Sequence, residues 1–136
     1  MKPAPLHQHT AFINELRARY DRQGPERLLS ESDIDRWTKL VGSTRHEAYD
    51  VLARHLAVGF HDGWLSFWFC DAVANATVGF VYADCLAKSE DLPALFYDVY
   101  LAFDVGEIDR PGLDVIETYT RPMIASTVRE MADDAG

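Results

Sequence analysis

The sequence predicts an all-α protein, a single domain of about six helices around a central apolar helix. Its 136 residues, 48% of them hydrophobic, suit one globular core. The long apolar patterns repeat with the 3.6-residue period of a helix, and no segment sustains the strict alternation of a strand. We expect residues 1–9, which include His7 and His9, to form a mobile segment, and residues 10–136 to form the helical domain.

Two helices are predicted in the first third of the chain. Apolar side chains at helical spacing indicate the first over residues 10–22, and Gly24 with the following proline ends it. Ser30 or Ser32 can cap the second helix, because a serine hydroxyl accepts a hydrogen bond from a free backbone N–H. Gly42 is its expected C-terminal stop.

The third helix is predicted from a capping motif. Thr44 and Glu47 have the S/T-x-x-E spacing of a capping box, in which the hydroxyl and the carboxylate each accept a bond from a free backbone N–H. The helix should run from there to about His61, where Asp62 and Gly63 form a turn.

Residues 64–87 form the most apolar segment and are predicted to be the central helix. Asp71, Asn75 and Asp84 interrupt this segment, so we expect no membrane span. Asp71, Asn75 and Tyr82 share one narrow stripe of the helical wheel. Because burying an unpaired carboxylate is costly, this stripe either forms a satisfied structural network or lines a polar pocket or groove. Candidate partners for Asp71 are Arg54, Tyr100 and Arg121.

The remaining chain predicts two more helices joined by an acidic loop. The fifth helix should begin at Pro93 and end at Gly106, and the last should open at residues 120–122. Residues 107–118 are expected to form the loop. A minor strand pair near residues 115–119 is an alternative, since this window contains β-branched and aromatic residues.

Negative charge is concentrated in the second half of the chain. The net charge is −9, and residues 70–117 contain ten acidic side chains and two basic ones, whereas residues 1–69 contain nine of each. Nucleic acid is a poor candidate partner, because a phosphate-binding surface is basic. The bias predicts an acidic face, which serves either solubility alone or the docking of a basic protein.

The favoured hypothesis is a small acidic cytoplasmic protein that neutralises a basic protein partner, such as a cognate toxin. Immunity proteins and inhibitors of cationic toxins work by this electrostatic complementarity on many folds, so the argument is an analogy. Tyrosines beside the acids would serve as anchors. The predicted partner-binding residues are Tyr97, Asp98, Tyr100, Asp104, Glu107 and Asp109.

The alternative is an all-α metal-dependent nucleotide phosphohydrolase. One such class uses an adjacent His-Asp pair, and imidazoles with carboxylates can hold a divalent ion that activates water. Here the pair would be His61 and Asp62, with His46 or His55 upstream and Asp98 or Asp104 as the distant ligand. The metal set of this alternative is His55, His61, Asp62 and Asp98.

A carboxylate-based version of the same alternative would use Glu47 and Asp50 beside His46. A turn at Asp62 and the capping role of Glu47 explain these residues equally well without a metal.

Absent motifs, the first residues and the cysteines exclude further classes of function. The sequence contains no Gly-rich phosphate loop, G-x-S-x-G or H-E-x-x-H motif, and we expect no cofactor. The first residues lack an apolar signal region, which predicts a cytoplasmic location. Cys70 and Cys85 would lie roughly 22 Å apart on one helix, too far for a disulfide, so free thiols are expected. The pattern makes no prediction of oligomeric state.

Overall fold

The computed structural model describes residues 6–135, which fold into six α-helices without a strand. The helices are α1 (Leu6–Gln23), α2 (Glu31–Val41), α3 (Arg45–Asp62), α4 (Phe67–Lys88), α5 (Ala94–Gly106) and α6 (Arg121–Ala135). A π-helical turn, Ile116–Thr120, runs directly into α6. The predicted bundle of about six helices is confirmed. Over the described range, no helix combines the length and the apolar character that crossing a bilayer requires.

α3 lies at the centre of the bundle, in place of the apolar helix that the sequence favoured. It packs against α2, α4, α5 and α6, and its buried residues run from Ala48 to Phe60. Most of the buried residues of α4 lie in its first half, where Trp68 is nevertheless 54% exposed, and Tyr82 and Leu86 in its second half are 45% and 85% exposed. The prediction of a central α4 was wrong because apolar composition does not by itself place a helix inside.

α1 begins at Leu6, earlier than the predicted start at residue 10. His9 is buried, and its ring packs edge-on against the rings of Trp37 and His55. The expectation of a mobile segment was therefore wrong for His9, since tertiary packing holds this turn whatever its local propensity. Residues 1–5, which were also expected to be mobile, lie outside the described residues.

Glycines end α2 and α3 as predicted. Gly42 and Gly63 have φ angles of 75° and 90°, in the left-handed region that a side chain rarely tolerates. Their N–H groups donate to the carbonyls of Thr38 and Gly59, which satisfies free acceptors of the last helical turns.

The complete capping box lies at the start of α2, not of α3. The Ser30 N–H donates to the Asp33 carboxylate at 2.8 Å, and the Asp33 N–H donates to Ser30 Oγ at 3.2 Å. At α3, the Glu47 N–H donates to Thr44 Oγ1, but the Glu47 carboxylate accepts from the Ser43 hydroxyl instead of the Thr44 backbone. The predicted box is half formed because Ser43 competes for the carboxylate.

The segment between α5 and α6 differs from its prediction. Residues 107–115 form the expected loop, but residues 116–120 are π-helical, and the predicted strand pair is reduced to one isolated bridge between Arg110 and Leu113. Thr120 is fully buried and donates its hydroxyl to the Ala102 carbonyl at 2.7 Å. This bond fixes the π-helical turn against α5, which the local β propensity of the window did not indicate.

Candidate interaction surface

Four of the six predicted partner-binding residues lie together on α5 and just beyond it. They are Tyr97, Tyr100, Asp104 and Glu107. The Tyr97 and Tyr100 rings are nearly parallel, with centroids 6.4 Å apart. Burial, followed by the charge of Asp104, raises the pKa of the Tyr100 hydroxyl. The spacing of these residues therefore brings two tyrosines and two carboxyl groups to one side of the helix.

The neighbouring side of α4 extends this surface. Asn75 donates its amide to Glu107 Oε1 at 3.2 Å, and Tyr82 is close enough to influence the pKa of Tyr100. Exposed Trp68 and Leu101 add apolar area. We call the whole surface the α4–α5 face; it comprises Trp68, Asp71, Asn75, Tyr82 and Leu86 of α4, together with Tyr97, Tyr100, Leu101, Asp104 and Glu107.

Asp71 is the buried acid of the α4–α5 face. The residue is 5% exposed, and its Oδ2 accepts from the Asn75 amide at 3.3 Å. Its Oδ1 is enclosed and has no hydrogen-bond partner. None of the three predicted partners, Arg54, Tyr100 and Arg121, is hydrogen-bonded to it; Arg121 instead bonds Glu117. The polar stripe is thus a contact between Asp71, Asn75 and Glu107, with one carboxyl oxygen unsatisfied.

The three carboxyl groups of the face perturb one another. Burial raises the pKa of Asp71 to about 8, reinforced by the nearby Glu107 and Asp104. Burial and a hydrogen bond with Asp104 likewise raise the pKa of Glu107. In residues 6–135, no Lys or Arg forms an ion pair with any of the three. Three carboxyl groups are therefore held together without a counter-charge, which favours the protonated form of the buried Asp71.

Several acids elsewhere in the protein have cationic partners. Asp33 is bonded by Arg19 at 2.7 Å and by Arg36 at 3.0 Å, which ties α1 to α2. Asp84, at the edge of the predicted acidic region, is bonded by Arg45 at 2.8 Å and by the Tyr49 hydroxyl at 2.5 Å. Asp84 is thereby neutralised, whereas the acids of the α4–α5 face are not.

Of the other two predicted residues, Asp98 lies apart from the four and Asp109 lies at their border. Asp98 faces the groove between α3, α5 and α6, an open cavity of about 740 Å³ that Arg54 also lines. Asp109 is exposed in the loop after α5, where it lines a cavity of about 310 Å³ with Trp68 and Glu107. Asp109 thus borders the α4–α5 face, while the prediction that Asp98 belongs to the same site was wrong, because it lies about 100° around α5 from Tyr97.

The residues of the alternative metal site do not form a ligand set. His55 Nε2 lies 3.2 Å from His9 Nδ1, and the His55 ring packs against Trp37. His61 and Asp62 are exposed at the end of α3. Between residues 6 and 135, no three His, Cys, Asp or Glu side chains are arranged to hold a metal ion.

The residues of the carboxylate-based alternative do not form a metal site either, because each of them makes a hydrogen bond within the fold. Asp50 accepts from the Phe96 N–H at 2.8 Å and so caps α5 from α3. The preceding Pro93 supplies no side-chain cap. Glu47 bonds Ser43, and His46 Nε2 is 2.9 Å from the Asp91 carbonyl.

Six members of the surface lie outside the predicted partner-binding set, although helical spacing carried a signal for some of them. The six are Trp68, Asp71, Asn75, Tyr82 and Leu86 of α4 and Leu101 of α5. Trp68, Asn75 and Tyr82 recur every seven residues, which places them on one side of a helix. That spacing could have added Trp68 to the polar stripe. Leu101, which is 38% exposed, lies one turn after Tyr97 and about one turn before Asp104, so the spacing of α5 could have added it to the site.

Comparison with protein-family models, curated proteins and solved structures finds no match for this chain. The α4–α5 face presents aromatic rings, exposed apolar side chains and carboxyl groups without a cationic partner.

Proposed function

We propose that this protein binds a basic protein partner through the α4–α5 face, in the manner of an inhibitor or immunity protein against a cationic toxin. One observation carries the proposal: Asp71, Asp104 and Glu107 lie together without a cation, beside Tyr100, whose half-buried ring contacts that of Tyr97. A positive side chain from a partner would supply the missing counter-charge.

The charge of the whole chain supports a basic partner. A net charge of −9 attracts cationic proteins at a distance, and the ten acids of residues 70–117 direct that attraction towards α4, α5 and the loop after α5. Such attraction speeds association and is screened by salt over about 8 Å at physiological ionic strength.

The aromatic side chains support a stable complex after the encounter. Binding energy in protein interfaces is concentrated in a few Tyr, Trp and Arg residues surrounded by a polar rim. Tyr82 and Trp68 are 45% and 54% exposed, and Tyr97 and Tyr100 are half-buried. These rings can be buried from water on binding, whereas Asp104 and Glu107 would orient the partner through charge.

A second copy of this chain is a poorer occupant of the same face. A two-fold symmetric dimer through the α4–α5 face would place Asp104 and Glu107 of one copy near the same residues of the other. Neither copy offers a cation there, because Arg110, after Glu107, is engaged with the Tyr119 ring. Like-charge contact opposes such a dimer.

We further propose a cytoplasmic location. Cys70 and Cys85 are both free and buried. Free thiols are typical of proteins in a reducing compartment.

Affinity capture from cells that produce the protein tests the proposal. The purified protein is immobilised at low salt and compared with three variants: the double charge reversal D104K/E107K, the double truncation Y97A/Y100A, and the control E26K. Glu26 is exposed in the turn after α1, away from the face. Glu15 is unsuitable as a control because it bonds Arg36 across the α1–α2 contact.

We expect a basic protein to be retained by the wild type and by E26K and to be lost from both double variants. With that protein purified, its association rate should fall steeply as salt rises, and D104K/E107K should slow it at least tenfold. Equal binding to all four proteins, or an association rate indifferent to salt, would contradict the proposal.

A further inference from the structure

Asp71 has a feature that docking by surface charge alone leaves unexplained. The residue is only 5% exposed, its Oδ1 has no partner, and its Oδ2 shares the Asn75 amide with Glu107. An ionised carboxylate in this setting would be enclosed, half-satisfied and next to a second negative charge. Such a group costs stability unless something neutralises it.

A proton is what neutralises Asp71 in the free protein. When protonated, the Asp71 carboxyl can donate a hydrogen bond to Glu107, and burial together with Glu107 and Asp104 raises its pKa to about 8. The titratable groups that face it are Asp104, Glu107 and, at longer range, Tyr100; all three lie on α5 or directly after it, and none is cationic. The other neighbour, Asn75, does not titrate.

We infer, building on the proposed function, that the partner places an arginine guanidinium against Asp104 and Glu107, and that its arrival releases the Asp71 proton to solvent. The added positive charge favours the ionised form of Asp71, and the ionised Asp71 in turn strengthens attraction for the cation. Binding and proton release are therefore coupled.

The tyrosines make arginine the better fit than lysine. A guanidinium is flat, stacks on aromatic rings and donates in a fork to carboxylates, whereas an ammonium is a compact and strongly hydrated charge. Tyr100 lies close to Asp104 and Glu107, so one guanidinium can contact its ring and a carboxylate together, and the Tyr97 ring extends the aromatic surface.

The affinity of the face for the cation should rise with pH. Below the pKa of free Asp71, binding must expel a proton, so affinity rises with pH and levels off above about 8. A complex held only by Glu107 and Asp104 would show a much weaker dependence between pH 6 and 8.

Calorimetry with an octa-arginine peptide tests the inference. The peptide is titrated at pH 7 into the wild type and into Asp71→Asn, in phosphate and in Tris, whose different ionisation heats report the protons released. The wild type should release close to one proton, and Asp71→Asn none. Amide resonances of Tyr97 and Tyr100 report whether the peptide occupies the face, and the carboxyl carbon of Asp71 reports its ionisation in the wild type without any substitution.

The outcomes separate the two proposals. Peptide bound at Tyr97 and Tyr100 with no proton release and no change in the Asp71 carboxyl signal would overturn this inference and leave the proposed function standing. An octa-lysine peptide that binds as tightly as octa-arginine would overturn the assignment of arginine. Peptide that leaves the Tyr97 and Tyr100 resonances unmoved would count against the proposed function itself.

Discussion

His9 Nδ1 of α1 and His55 Nε2 of α3 lie 3.2 Å apart in a largely buried contact. One ring must donate and the other accept, so the contact requires at least one neutral imidazole. The two rings pack edge-on, and both also contact Trp37 of α2. α1, α2 and α3 are thus joined by a cluster whose hydrogen bond is lost when both histidines are protonated.

The protein should lose stability in mild acid through this pair. Burial, then the charges of His9 and Arg54, lowers the pKa of His55 to about 4 from its ordinary 6.5. The unfolded chain therefore takes up a proton that the folded chain resists, and stability is lost as the pH falls from about 6.5 to 4. The His55→Gln variant should show a shallower fall in Tm over this range, while His61→Gln, at an exposed histidine, should follow the wild type. Equal slopes in all three would contradict the role of His55.

Asp71→Asn should stabilise the protein at neutral and alkaline pH. Because the folded pKa of Asp71 is raised above the unfolded value of 3.8 to about 8, stability is full below pH 4 and falls as the pH rises towards 8. Asparagine keeps a donor for Glu107 and cannot ionise. Urea unfolding at pH 8 should show a gain of about 1 to 3 kcal/mol, with little gain at pH 4 and none for the control Glu26→Gln. A loss of stability at pH 8 would show that Asp71 is well satisfied as a carboxylate.

Replacement by alanine should change the stability of the protein in opposite directions at two helical glycines. A methyl group at Gly106, at the end of α5, would overlap Phe67 and the Thr120 hydroxyl, so Gly106→Ala should cost about 1 to 3 kcal/mol. Gly79, within α4, has nothing within 4 Å of the added carbon. Gly79→Ala should therefore gain about 0.5 to 1 kcal/mol from helix propensity. Thermal unfolding of both variants measures the difference, and a neutral Gly106→Ala would mean that the π-helical turn can move aside.

Asp33→Ala should cost more than Glu47→Ala. Burial acts to raise the pKa of Asp33, but hydrogen bonds from Arg19, Ser30 and Arg36 outweigh it and hold the pKa well below the ordinary 3.8. Losing this carboxylate removes the capping box and a link between α1 and α2, at about 2 to 3 kcal/mol. Glu47→Ala removes only the bond to Ser43 and should cost less than about 1 kcal/mol.

The pH dependence provides a second check on Asp33. A lowered folded pKa gives stability that is present above pH 3.8 and lost in acid. The gap between wild type and Asp33→Ala in urea unfolding should thus narrow steadily as the pH falls below about 3.8. A gap that stays constant over this range would mean that the carboxylate acts through packing.

The helices were predictable because their signals are local. The 3.6-residue period set their number, and Ser30, Gly42 and Gly63 set ends that depend on neighbouring backbone groups. The centre of the bundle was not predictable from the apolar content of α4, since burial depends on how many helices pack around a segment. The π-helical turn was missed for a similar reason: a bond from Thr120 to Ala102, distant in sequence, holds it.

The candidate site was predictable in part. Helical spacing brought Tyr97, Tyr100 and Asp104 to one side of α5, as expected from the sequence. Asp98 was wrongly included because charge concentration along the chain does not distinguish the sides of a helix. The meeting of Asp71 with Glu107 could not be foreseen, because it depends on the pairing of α4 with α5.

The π-helical turn makes the tolerance of the chain to deletions position-dependent. A π turn contains about one residue more than an α turn. A deletion between Ile116 and Thr120 can therefore be absorbed by a return to α-helical winding, which leaves Ile124 facing the core. A deletion at Arg54, within α3, has no such surplus to consume and would rotate the rest of α3 by about 100°, carrying the fully buried Leu56 towards solvent. The helices thus differ sharply in the length changes that the fold can survive.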